Sequence, residues 1–114
     1  MFQDTTNIDL TDALYAAHAH HTRAKATFIM ALAEIHNREL STELGAHSTI
    51  TLLTGEFDLS RSTAYEYLQV GTTLAKLPHL SDAFLTGAVS YSKVRFLMRY
   101  ITADTDNALT ELAK

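Results

Sequence analysis

Asp58–Met98 reads DLSRSTAYEYLQVGTTLAKLPHLSDAFLTGAVSYSKVRFLM, and the fold is decided in this stretch. Ser60 or Ser62 offers a hydroxyl that can cap a helix, and Thr63-Ala64-Tyr65-Glu66 has capping-box spacing. The helix so opened should run to about Leu77, because Pro78 has no N–H and disfavours a helical residue before it. Its inward stripe is Ala64, Leu68, Gly71 and Ala75, with Tyr67 and Leu74 beside it. A glycine inside a helix costs about 1 kcal/mol against alanine, so Gly71 implies a neighbour packed too closely for a side chain. A short helix, Leu80–Thr86, stops at Gly87. Ser90 then opens a helix that turns Val94, Leu97, Met98 and Ile101 inward.

Upstream, residues 1–9 carry the polar run QDTTN and read as a flexible lead-in. From Leu10 the positions Leu10, Leu14, Ala17, His21, Ala24, Phe28, Ala31 and Ile35 recur at alternating spacings of four and three. That seam predicts one long helix from about Leu10 to about Leu40, anchored on the core by Phe28, Leu32 and Ile35. Gly45 ends the region, a short helix over about Ser48–Thr54 follows, and Gly55-Glu56-Phe57-Asp58 signals a turn. A last helix starts near Asp104, and no stop signal follows Leu112-Ala113-Lys114. The expectation is an all-α single helical domain over 10–114, the N-terminal part of a longer protein. It has about six helices, with the long first one packed on a helix-turn-helix-like core.

Composition agrees and narrows the function classes. One proline and four glycines among 114 residues favour helix. No window has the apolar length of a membrane span, so no membrane partner is expected. The absence of cysteine excludes disulfides, Cys-ligated zinc and thiol chemistry, and fits a cytoplasmic protein. A net charge of −4 argues against purely electrostatic binding to nucleic acid, but its distribution is uneven. Acids crowd both ends, whereas Ser90–Ile101 holds Lys93, Arg95 and Arg99 and no acid.

Two groups of residues are candidates for contact with double-stranded DNA. A helix-turn-helix needs a first helix, a tight turn, and a second helix with a small residue where the two touch. Ile50–Leu68 supplies these: Ala64 is the small residue, Leu59 can plug the junction, and Asp58 can take the left-handed turn conformation. The outward residues of the second helix are then Arg61, Ser62, Tyr65, Glu66 and Gln69. Arg61 can pair bidentately with guanine and Gln69 with adenine, while Ser60 and Ser62 can donate to phosphate. The second group is Ser92, Arg95 and Arg99 on one side of the following helix, with Lys93 adjacent, as phosphate contacts. The alternative is plain: both groups are solvated faces of an ordinary bundle, and the chain is a non-catalytic module that forms a homodimer through the long first helix.

Other chemistry finds little footing. His18, His20 and His21 lie close in sequence, but no carboxylate stands three or four residues after them to complete a zinc site. There is no Gly-x-Ser-x-Gly elbow and no glycine-rich phosphate loop. Neither catalysis nor a cofactor is expected of these residues.

The order of these pieces resembles the bacterial family called domain of unknown function 222, or the 13E12 repeat family. The likeness covers about Thr11–Lys114. It is carried by the Ala-rich first helix, Leu59-Ser60-Arg61-Ser62-Thr63-Ala64, Leu74-Ala75-Lys76-Leu77-Pro78, Ala83-Phe84-Leu85-Thr86-Gly87 and Val89-Ser90-Tyr91-Ser92-Lys93-Val94-Arg95. The resemblance implies a helical module of a DNA-transacting, mobile-element-associated protein, often followed by an HNH endonuclease domain. The HNH residues are absent from these 114 positions, so no nuclease role is carried over. A weaker likeness, over about Leu53–Leu97, is to the helix-turn-helix of partition-type DNA-binding proteins.

Overall fold

Six α-helices and no strand make up the computed structural model, which describes residues 1–114. They are α1 (Asn7–Asn37), α2 (Thr49–Glu56), α3 (Arg61–Leu74), α4 (Pro78–Leu85), α5 (Tyr91–Leu97) and α6 (Asp106–Ala113). Side-chain hydroxyls start four of them: those of Thr6, Ser48, Ser60 and Ser90 accept from the backbone N–H groups of Asp9, Thr51, Thr63 and Lys93. Of the two serines that could cap α3, it is Ser60 that does so. Helix α1 begins three residues before the apolar periodicity, because the cap at Thr6 lies ahead of the first leucine.

Helix α4 has a different start. Its own cap position is Leu77, which offers no side-chain hydrogen bond. Asp106 of α6 substitutes from across the fold, its carboxylate accepting from the backbone N–H of His79 at 2.8 Å and of Leu80 at 2.9 Å. The buried charge sits at the positive end of the α4 dipole, which favours it. Through this contact the last helix is tied to the middle of the domain. Gly87, at φ +83°, closes α4 in the left-handed conformation expected of a residue just past a helix.

The long first helix packs on the others, though not through the predicted seam. Its buried residues are Thr22, Ala26, Ile29, Leu32 and Ala33, whereas Leu10, Leu14, Ala17, His21, Ala24 and Ala31 are exposed. Of the expected anchors, Leu32 is buried, and Phe28 and Ile35 are half-buried. Gly71 explains the change of face. A Cβ at Gly71 would lie 2.8 Å from both the Ile29 carbonyl oxygen and the Ala33 Cβ, so α3 lies directly on the backbone of α1. The side of α1 that meets α3 carries Ala26, Ile29 and Ala33, and of the heptad side only Phe28 and Ile35 are partly covered. Ala75, which caps the end of α3, is likewise exposed, and Val70, outside the expected stripe, is buried.

Phe84, Leu74, Leu80, Val89 and Val94 form the main core with Ala26 and Ile29. A smaller cluster of Leu32, Ile50, Leu53 and Ala64 lies under the α2–α3 junction, with Leu59 packed against it. Beyond the core, the first half of α1 stands clear of the body. The radius of gyration is 16.4 Å, against about 13 Å for a compact chain of this length. No helix is long and apolar enough to cross a membrane.

Candidate nucleic-acid interface

The turn between α2 and α3 fixes what α3 presents. Asp58 takes φ 59°, the left-handed conformation that lets the chain reverse in a few residues. The Leu59 N–H donates to the Leu53 carbonyl, and Phe57 packs edge-to-face on Phe28 with ring centroids 5.3 Å apart. Ala64, Val70, Gly71 and Leu74 then point inward, leaving Arg61, Ser62, Tyr65 and Gln69 exposed. The Arg61 guanidinium lies 5.5 Å from the Tyr65 ring centroid and donates to the Tyr65 hydroxyl at 3.4 Å. Ser60 is engaged otherwise: its hydroxyl accepts the Thr63 N–H and donates to the Thr63 hydroxyl at 2.9 Å. It is a cap more than a free phosphate donor.

Helix α5 lies beside α3, and a groove of about 500 Å³ runs between them. Gln69 and Thr73 line one wall; Ser92, Arg95 and Arg99 line the other. Gln69 of the first candidate group thus shares a concavity with Ser92, Arg95 and Arg99 of the second, while Ser60, Arg61, Ser62 and Tyr65 do not line it. Arg99 lies just past the end of α5 yet still reaches this groove. Lys93 does not. Its ammonium donates to the Ala113 carbonyl at 2.9 Å, at the C-terminal end of α6, where a cation complements the helix dipole.

Glu66 departs most from the sequence reading. Rather than facing outward with Arg61 and Gln69, it turns toward α5. There its carboxylate pairs with the Arg95 guanidinium at 2.7 Å and accepts from the Tyr91 hydroxyl at 2.9 Å. Burial, and then the carboxylate it donates to, hold the Tyr91 phenol above its ordinary range, with Arg95 opposing. Behind it the Lys25 ammonium of α1 lies 4.7 Å from the Tyr91 ring centroid and 5.6 Å from that of Tyr67. This chain of contacts from α1 through α3 to α5 holds the two groove walls at a fixed separation. Its sequence signal was faint: an acid on a helix face does not name its cation twenty-nine residues away. Phe96 and Tyr100, four apart in sequence, form an exposed aromatic pair with centroids 5.5 Å apart, and Phe96 lines the groove.

His18, His20 and His21 are exposed, and nowhere in the fold are three or more His, Cys, Asp or Glu side chains gathered closely enough to hold a metal ion. No protein-family profile matches this chain, and neither does any curated protein or solved structure compared with it.

Proposed function

We propose that the chain is a DNA-binding helical module that reads duplex DNA with the outer face of α3 and holds phosphate with Arg95 of α5 and Arg99 just past its end. The observation that carries this reading is the groove in which Gln69, Arg95 and Arg99 converge; Arg61 and Tyr65 are exposed on the same helix as Gln69. A recognition helix needs a free N-terminal face for base edges and nearby cations for the backbone. The first turns of α3 and the C-terminal end of α5 fit those two needs. The resemblance to the 13E12 repeat family supports the same reading, as does its implication of a mobile-element or HNH-endonuclease-associated protein. Lys93 has no part in the proposed phosphate contact, being committed to α6.

The test is selection from a random duplex pool at low salt, followed by fluorescence anisotropy on the enriched site. Arg99→Ala should weaken binding to every duplex and reduce the log–log salt slope by about one. Arg61→Ala should cost about 1–3 kcal/mol at the enriched site and relax preference at one base pair. A folded chain that enriches no sequence and binds no duplex at low salt would refute the proposal.

A further inference from the structure

The outward side of α5 and of the turn that follows it sets two cations beside two aromatic rings. Arg95 and Phe96 stand four residues before Arg99 and Tyr100, and all four are exposed. Phe96 and Tyr100 are 61% and 60% exposed although they touch, with ring centroids 5.5 Å apart and planes inclined at 50°. Core packing does not call for them, because Val94, Leu97 and Met98 make the core contacts of this segment. We infer that this strip takes unpaired bases: the rings stack on a single-stranded segment whose phosphates Arg99 and Arg95 hold. The inference rests on the reading of the chain as a DNA-binding module and names the form of DNA it prefers.

The mixture of residue types selects the occupant. An apolar protein surface laid on Phe96 and Tyr100 would strip water from the guanidiniums beside them, a cost that only an anionic partner offsets. A nucleic-acid strand brings flat π faces and phosphates together, and aromatic rings beside a basic groove hold single strands with little regard to sequence. Phe96 joins the two elements, since it lines the same groove as Arg95 and Arg99. Glu66 also lines that groove but is already paired with Arg95, which makes Arg99 the first phosphate contact.

The bases have to be unpaired. Within an intact duplex the neighbouring bases cover both faces of each base, so a side-chain ring reaches one only where it has left the stack. The contact between the two rings also decides how they are used. Centroids 5.5 Å apart mean that the rings already pack on each other, so no base slides between them. Bases stack on the outward faces, and the pair is a platform, not a clamp. With α3 on duplex and a strand crossing α5, the preferred ligand is a junction of duplex and single-stranded DNA.

Fluorescence anisotropy at low salt tests this with a blunt duplex and the same duplex carrying a single-stranded tail of about ten nucleotides. The tailed duplex should bind about 5- to 100-fold more tightly, the gain expected from stacking one base. A tail of abasic sites keeps the phosphates, lacks the bases and should give little of that gain. Tyr100 lies outside the groove and is exposed, so its variants should keep the parent's melting temperature. Tyr100→Ala should remove most of the tail's advantage. Tyr100→Phe should retain it, whereas Tyr100→Leu, apolar but without a π face, should lose it. A blunt duplex that binds as well as the tailed one would overturn the inference and leave the duplex reading standing; binding to neither would refute both. An abasic tail as good as a normal one, or a Tyr100→Leu variant with the parent's preference, would also overturn it.

Discussion

If Arg95 is a phosphate contact, Glu66 competes with DNA for it, and Glu66→Gln should tighten binding. The substitution is nearly isosteric and keeps an oxygen to accept the Tyr91 hydroxyl, so the groove walls stay in place. What it removes is the ion pair at 2.7 Å, in which the arginine side chain is 67% and the glutamate side chain 32% exposed. Pairs this open contribute about 0.5–1 kcal/mol. A phosphate that no longer has to displace the carboxylate should gain about two- to fivefold in affinity. The log–log salt slope should steepen by up to about one unit as a full guanidinium becomes available. Anisotropy titrations at several salt concentrations give both quantities. Removing a negative charge anywhere nearby would also help binding, so the decisive comparison is made with Arg95→Ala present. On that background Glu66→Gln should gain little, the coupling having been lost with the arginine. An equal gain in both backgrounds would refute a specific role for Arg95 and leave only the change in net charge.

Asp106→Ala should be the most damaging single change outside the core, since it strands two backbone N–H groups at the start of α4. A loss of about 2–4 kcal/mol is expected; the melting temperature should fall by about 8–16 °C in calorimetry. Gly71→Ala should destabilise despite alanine's higher helix propensity. The new Cβ meets backbone and a rigid Cβ at 2.8 Å, and overpacking of this kind outweighs the gain of about 1 kcal/mol. Tyr91 should make the domain sensitive to alkali. Its phenol is held protonated in the fold above its ordinary range, so that contribution is fully present below pH ~10 and is lost as pH rises further. Melting curves of Tyr91→Phe should accordingly fall less steeply than those of the parent above pH ~10.

The helices were legible because their boundaries are local chemistry. Hydroxyls at Ser48, Ser60 and Ser90, the missing N–H of Pro78 and the left-handed Gly87 each act within one turn of their own position. The face that α1 buries was not local. Both its heptad side and the side that carries Ala26, Ile29 and Ala33 are apolar enough to pack, and the side taken is the one that meets Gly71, some forty residues away. The glycine announced that something lies close, but not which side of which helix. Residue size does not choose between the two sides, since alanines stand on both: Ala17, Ala24 and Ala31 on one, Ala26 and Ala33 on the other.

The site divides the same way. That Arg61, Tyr65 and Gln69 are exposed on α3 follows from helical spacing once Ala64 and Gly71 are known to be inside. That Gln69 shares a groove with Arg95 and Arg99 depends on how α5 returns to α3, which is set by the core around Phe84, Val89 and Val94. The count of free cations was the least legible feature. Lys93 and Arg95 are two residues apart, so on a helix they diverge: one is drawn to the carbonyl end of α6 and the other to Glu66. Of the three basic side chains read as one patch, Arg99 alone has neither of these partners. The proposed phosphate grip therefore rests first on Arg99 and only conditionally on Arg95, and the Glu66→Gln comparison measures that condition directly.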